Sequence, residues 1–433
     1  MSSSDSPPLA DASSRSAVRA AILSFDANDS LGRIDDGLMV VSEGRIEAIG
    51  PFSALAPDFE SLTKIDCRGL TLAPGFIDTH IHYPQTDVIG SPADGLLPWL
   101  TNYTFPHESR FADQGYAQGV AKFFLDELLR NGVTTAMTYC SSHPQSVDAL
   151  FEAAAARNLR LIAGKCLMDS NSPDGVRDAT EQSLIDSEEL IRRWQNHGRL
   201  GYALTPRFAP SCSEQQMRGA AELAARYPAT WIQSHVAENH EEIAWVGRLF
   251  PRARSYLGVY EGMGLLRPRS VYAHCIHLDQ DDRAAMRDNG AAAAVCPTSN
   301  LFLGSGLFDF AAADSAGFAY GLASDVGGGT SFSPFKTMLA AYQIARLRGL
   351  TLSPEQLWFR HTLGAARALG LQRQVGNLAV GMEADAILID DQATPLLARR
   401  SGIAGTLAEW LFALIVLGDD RAVRSYMICG RMG

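Results

Sequence analysis

The chain lacks most of what marks a secreted, membrane-embedded or nucleic-acid-binding protein. It has no C-x-x-C pair: its seven cysteines, an odd number, lie far apart at Cys67, Cys140, Cys166, Cys212, Cys275, Cys296 and Cys429. Most of them fall in apolar runs, where cysteine behaves as a small hydrophobe. Reduced thiols are expected, not a disulfide framework. The opening MSSSDSPPLADASSRS has no apolar core of the kind a secretory leader needs, and its composition predicts a disordered tail over residues 1–16. The longest apolar run, Trp410 to Leu417, is far short of the roughly 20 residues that span a bilayer. A cytoplasmic protein with no membrane partner is expected. Basic surplus is missing too. The 37 Lys and Arg face 48 Asp and Glu, a net charge of −11, which opposes binding to a phosphate backbone. No run of five like charges and no internal repeat interrupts the chain.

What is present reads as an ordinary large enzyme. Of 433 residues, 46% are hydrophobic and 20% charged, enough to build a core without crosslinks. Both ends alternate apolar and polar residues between Gly and Asp turns. VRAAILSFD, GLMVVSEGRIEAIG and LTKIDCRG at one end, with GNLAVGMEADAILID and AVRSYMICGRMG at the other, predict short strands. The two flanks, residues 17–72 and 372–433, are expected to form one small β-sandwich domain. Between them, over residues 73–371, eight strand-like runs alternate with amphipathic stretches. They cover 75–82, 133–139, 160–168, 201–208, 231–238, 270–278, 291–297 and 318–326. One intervening helix, 116–132, is expected to put Val120, Phe123 and Leu128 on one face and to stop at Gly132. This pattern predicts an α/β fold, a (β/α)8 barrel of the TIM type.

Such a barrel carries its chemistry at the C-terminal ends of its strands. His80 and His82 end the first run, and residues two apart on a strand point the same way. Alone, an H-x-H pair is as readily two core or surface histidines. Three more strand ends carry His235, His274 and Asp325, each among small or apolar neighbours where an unpaired polar group is costly. Imidazole and carboxylate without thiolate suit Zn²⁺, with Fe²⁺ as the alternative. Cys275 and Cys296 read as packing residues.

PGFIDTHIH, the two later histidines and the SDV segment together resemble the amidohydrolase superfamily. GNLAVGMEADAILID is similar to the strand pair that closes its small β-domain. The resemblance runs from about Ala17 to the end. In the single-metal deaminase branch it implies His80, His82, His235 and Asp325 as ligands, with His274 bonding the attacking water or the substrate. Two-metal relatives usually need a lysine on the fourth strand, and GYALTPRF has none. Lys165, on the third, reads as an ordinary paired lysine. Glu238, in H-x-x-E, sits where a carboxylate can shuttle protons, though a helix N-terminus also favours acid there.

Finer stretches resemble the guanine deaminases: DTHIHYPQ, TPRFAPSCS, QSHVAEN, CPTSNLFLGSG, SDVGGG and VLGDDR. That resemblance implies guanine as the small-molecule substrate, hydrolysed to xanthine and ammonia, and a homodimer. It implies catalytic roles for Glu238, His274 and Asp325. Substrate contacts would come from His82, Gln85, Arg207, Phe208, His235, Glu238 and Asp325. Phe208 can stack on a flat purine, Arg207 can donate to its carbonyl, and Gln85 can do both. Arg207 could equally be half of an ion pair at a strand end. Other readings are an aminohydrolase for 8-oxoguanine, a triazine or another amino-heterocycle, and a non-catalytic scaffold of the same superfamily. The contacts of Trp99 to Phe111 stay unassigned, and His107 could be a surface residue. Ser299 and Asn300 could position a loop. TLAEWLFALIVLG could be an interface helix or a core helix.

Overall fold

The computed structural model describes residues 15–92 and 94–433. Most of the tail expected over 1–16 lies outside the described residues; the first strand, β1, starts at Ser16. One sheet of seven strands joins the two chain ends. It comprises β1 (Ser16–Phe25), β2 (Leu31–Ser42), β3 (Arg45–Pro51), β4 (Lys64–Pro74), β14 (Ala386–Ile389), β15 (Val423–Ile428) and β16 (Arg431–Met432), in the order β16-β15-β14-β4-β1-β2-β3. Only β1 and β4 run parallel; the other pairs are antiparallel. The two-residue period sorts its side chains. Val18, Ala20, Ile22, Met39 and Val41 enter one apolar cluster, while Ala17, Leu38 and Val40 enter another on the opposite face.

The second sheet is all parallel. Its strands are β5 (Phe76–His82), β6 (Val133–Tyr139), β7 (Arg160–Gly164), β9 (Leu200–Pro206), β10 (Trp231–Val236), β11 (Ser270–His274), β12 (Ala292–Val295) and β13 (Ala319–Leu322), with short β8 (Cys166–Leu167) continuing β7 beside β9. The eight strands form the expected barrel. Three hydrogen bonds stitch the last strand and its following loop to the first. Thr79 Oγ1 donates to Leu322 O (3.0 Å), His82 N to Val326 O (2.9 Å) and Asp325 N to His80 O (3.0 Å). Ile77, Met137, Ile162, Trp231 and Val271 fill the barrel's lower interior with Ala365, Leu369 and Val375 of the segment beneath it. The Trp231 indole donates to Leu369 O (2.9 Å).

Two expectations need correction. The barrel strands stop sooner than the apolar runs suggested, so Glu238 and Asp325 lie beyond β10 and β13. Their backbones leave the extended region: φ is +50° at Ala237, +70° at His274, +53° at Cys275 and +51° at Asp325. Such values are uncommon away from glycine. Second, the helix Gln114–Arg130 does not bury Phe123, which is 54% exposed. Three residues past Val120 lead to the rim of the inner face. Four lead back onto it, so Phe124 fills that place. The apolar helix Leu407–Leu417 lies on the helices Pro334–Leu347 and Pro354–Arg360 and buries Trp410, Leu411, Leu414 and Ile415, as a core helix does. Among the described residues no helix is long and apolar enough to cross a membrane.

Candidate active site

Four polar atoms converge at the C-terminal mouth of the barrel. The Nε2 atoms of His80 and His82 lie 3.1 Å apart, and those of His82 and His235 3.2 Å apart. Asp325 Oδ1 is 3.1 Å from His80 Nε2 and 3.3 Å from His82 Nε2. Tetrahedral bonds of about 2.05 Å to a zinc-like ion separate neighbouring donors by roughly 3.3 Å, so these spacings fit one metal centre. The protonation pattern agrees. His235 Nδ1 donates to Arg207 O (2.5 Å), which leaves Nε2 with its lone pair. Burial, with added repulsion from His80, holds His235 well below its ordinary pKa. Burial likewise lowers His82 to about 4, against the pull of Asp325. Burial opposes ionisation of Asp325, but hydrogen bonds from His80 and His82 outweigh it and keep the carboxyl well below its usual range. An imidazole lone pair therefore faces the other donors at close range, an arrangement a cation relieves. Cys296 also lies near His80, His274 and Asp325. Burial, then the Asp325 charge, pushes its thiol well above its usual value, and its Sγ is 3.4 Å from Ala294 O.

The loop after β13 explains how Asp325 reaches this point. Asp78 accepts from His80 N (3.1 Å) and Ser324 N (3.1 Å), tying the H-x-H strand to the loop. The loop turns through Gly327, Gly328 and Gly329. A Cβ on Gly329 would lie 1.7 Å from Ser324 O, and one on Gly328 would lie 2.9 Å from Ser299 Oγ. Only glycine fits so close a backbone.

Beside the donors is a cleft. Of the residues expected as metal ligands, catalytic groups or substrate contacts, all but the buried His80 line it: His82, Gln85, Arg207, Phe208, His235, Glu238, His274 and Asp325. Leu96, Trp99, Leu100 and Leu303 give it apolar walls, and Glu242 and Gly328 complete it. Glu238 is buried. Ser305 Oγ donates to its Oε1 (2.8 Å), and His274 Nε2 is 3.3 Å from its Oε2. Burial, then the Asp325 charge, pushes its carboxyl above the usual carboxylate range. Nδ1 of His274 is 2.9 Å from Asn300 Oδ1, which as an acceptor fixes the proton there. Glu242 Oε2 accepts from the backbone N–H groups of Glu238 (3.2 Å) and Asn239 (3.4 Å) and so holds the turn that carries Glu238.

Several contacts were not foreseen from the sequence. Glu108, from Trp99 to Phe111, is buried and accepts from Gln85 Nε2 (3.1 Å) and Arg207 Nη1 (2.5 Å). Nothing in its local pattern, FPHESRF, marks it. Ser305 and Glu242 were also missed, although Asn239 and Glu242 have capping-box spacing. Asn300 does more than shape a loop, since it orients His274. Ser299 Oγ has no partner among the described residues. His107 lies away from the cleft, 3.1 Å from Tyr116 Oη and 3.5 Å from Asp87. Lys165 is an ordinary paired lysine: its Nζ is 2.5 Å from Asp178.

Comparison with known proteins agrees with this geometry. The amidohydrolase family model matches residues 71–433. A guanine deaminase of Escherichia coli strain K12 is 43% identical over 400 residues, covering 92% of this chain and 91% of that protein. The solved E. coli guanine deaminase superposes with a TM-score of 0.95 at 41% identity, over 96% of this chain and 99% of that one. A guanine deaminase from C. acetobutylicum, solved with guanine in its active site, gives 0.91 at 30% identity, over 97% and 100%. The chain belongs to the amidohydrolase family, and within it stands with the guanine deaminases.

Proposed function

We propose that the enzyme hydrolyses guanine to xanthine and ammonia. The observation that carries this reading is one cleft in which a three-histidine, one-aspartate donor set adjoins both a buried glutamate and the Gln85–Arg207–Phe208 wall. His80, His82, His235 and Asp325 would hold one divalent ion, Zn²⁺ by its preference for such donors or Fe²⁺ in its place. When bound, it would supply an activated water near neutral pH.

The chain's own residues account for the rest. Guanine is flat, and Phe208 with the apolar walls suits its faces. Arg207 has Nε and Nη2 without protein partners among the described residues, so it can donate to the O6 carbonyl. Gln85 can use its remaining donor and acceptor on the same edge. Guanine held this way turns C2 and its amino group toward Glu238 and His274. Glu238, buried beside His274 and within reach of the attacking water, is placed to hold and pass on a proton. It takes a proton from the attacking water and returns it to N3; a second proton, from the hydroxyl now on C2, passes through it to the amino group, which leaves as ammonia while the C2 carbonyl forms. His274, oriented by Asn300, and Asp325 steady the oxygen that adds to C2.

The family setting and the free thiols support a cytoplasmic role in purine breakdown as a homodimer. Sedimentation or light scattering tests the dimer. The deciding test is ammonia release from guanine at neutral pH, with adenine, cytosine, 8-oxoguanine and a triazine as controls and the metal content measured on the same sample. Guanine alone should be turned over. Preference for a control would overturn the roles given to Gln85, Arg207 and Phe208.

A further inference from the structure

We infer that Glu108 sets the charge and hydrogen-bonding sense of the cleft, so that it accepts a neutral purine edge and does not retain an anionic one. The inference rests on the guanine reading above and adds a positioning residue to it. Glu108 is 1% exposed and Arg207 is 3% exposed. One carboxylate oxygen accepts from Arg207 Nη1 at 2.5 Å, the other from Gln85 Nε2 at 3.1 Å. The Gln85 oxygen accepts in turn from Gly327 N (3.2 Å). A carboxylate can only accept and a backbone N–H can only donate, so the Gln85 amide is held in one of its two flips.

Two consequences follow for a ligand. Gln85 has one N–H and one lone pair left, in fixed places. Arg207 keeps its remaining N–H groups for the ligand, but its charge is already met. An unpaired guanidinium in so buried a place would attract any anion strongly, because low dielectric magnifies charge. Paired with Glu108, it acts as a directed donor. The pairing matters for turnover because of the product. Xanthine has a carbonyl where guanine has an amino group, and it is the stronger acid, losing a proton near neutral pH. A cleft with a bare Arg207 would hold the product anion more firmly than the neutral substrate. Cys166, His143 and the Lys165–Asp178 pair lie within the same electrostatic neighbourhood. Burial keeps the Cys166 thiol up, to about 12, and lowers His143, so both stay neutral near pH 7. Lys165 is met by Asp178. Glu108 is thus the group that offsets Arg207.

The test uses the full-length, metal-loaded enzyme and two variants, Glu108→Gln and Glu108→Asp. Guanine kinetics and inhibition by xanthine are measured across the pH range in which xanthine ionises. Glu108→Gln removes the charge and faces the Gln85 amide with a neutral partner. Its KM for guanine should rise about tenfold, as expected for loss of a charge-assisted contact, and kcat should fall less. Its inhibition by xanthine should tighten about tenfold relative to wild type as the product ionises. A xanthine profile parallel to wild type at every pH overturns the charge role. Glu108→Asp keeps the charge on a shorter arm, so it should keep the wild-type xanthine profile while KM rises. An unchanged KM in Glu108→Asp overturns the positioning role, and this variant decides the matter if Glu108→Gln does not yield folded protein by circular dichroism. Failure of the wild type to deaminate guanine with metal bound would instead strike the underlying reading.

Discussion

The two ends of the barrel treat buried charge in opposite ways. At the N-terminal end, Arg160 and Arg199 meet Glu383 and Asp385, which lie just before β14 and bind the barrel to the seven-stranded sheet. Arg160 Nε and Arg199 Nη2 reach Glu383 at 2.9 and 2.7 Å, Arg199 also bonds Asp385, and Arg199 Nη1 donates to Asn158 O (2.8 Å). Opposite charges there answer each other. At the C-terminal end, three imidazoles and a carboxylate crowd together at 3.1–3.3 Å, and among the described residues no lysine or arginine side chain bonds to any of them. The backbone that carries them takes positive φ at His274 and Asp325. Buried charge that is paired holds a fold together; buried donors left facing one another mark the place where something else must bind.

Changes at the two ends should therefore separate activity from stability. The largest effect is expected from Glu238→Gln. It should lower kcat by about 10²–10⁴-fold, the usual worth of a positioned acid–base group, while metal content and melting temperature stay close to wild type. A near-normal rate would remove Glu238 from the proton transfers. Next comes Glu383→Gln at the other end, which leaves Arg160 and Arg199 short of a partner. It should cost about 3 kcal/mol or more of stability by urea titration and leave kcat for guanine unchanged. Its pH signature has a definite sign. Burial pushes the Glu383 carboxyl up, but the hydrogen bond from Arg160 and the charge of Arg199 outweigh this and hold it below its ordinary value. A carboxyl with a depressed folded pKa contributes stability that is present above its ordinary pKa and is lost as pH falls through the folded one. Wild type should therefore lose stability more steeply than Glu383→Gln as pH falls below the usual carboxylate range. Equal slopes would mean the pair is not strengthening the joint.

The same contrast explains what the sequence could and could not reveal. The barrel was legible because eight apolar runs alternate with helical stretches, and the polar cluster at its mouth because His80, His82, His235, His274 and Asp325 recur at the ends of those runs. Period and position along the chain are local signals. The strand limits were less legible, since apolar residues continue past the point where the backbone turns: Val236 is the last strand residue of WIQSHVAE, and FAYGLASDV leaves the strand at Leu322. Glu108 was out of reach. Its partner Arg207 is 99 positions away, and an acid beside an exposed-looking Ser-Arg pair carries no mark of burial. Phe123 failed for a geometric reason, one position off the helix face that Phe124 occupies. Glu383 and Asp385 gave no hint of their arginine partners for the same reason as Glu108: the pairing is made by topology.

Cys296 tests where the boundary between the two kinds of burial falls. Its sulfur is close enough to His80, His274 and Asp325 to be counted as a donor, yet it also belongs to the apolar layer with Ala294 and Ala323 that fills the barrel below. Two facts place it with the core: its Sγ is 3.4 Å from Ala294 O, as a weak thiol donor would be, and the set of His80, His82, His235 and Asp325 already supplies four donors without it. Cys296→Ala should therefore leave metal content and kcat at wild-type values and cost only about 1 kcal/mol, the worth of one small buried group. Loss of metal in that variant, measured on dialysed protein, would move the boundary down by one side chain and make the site a mixed nitrogen, oxygen and sulfur centre.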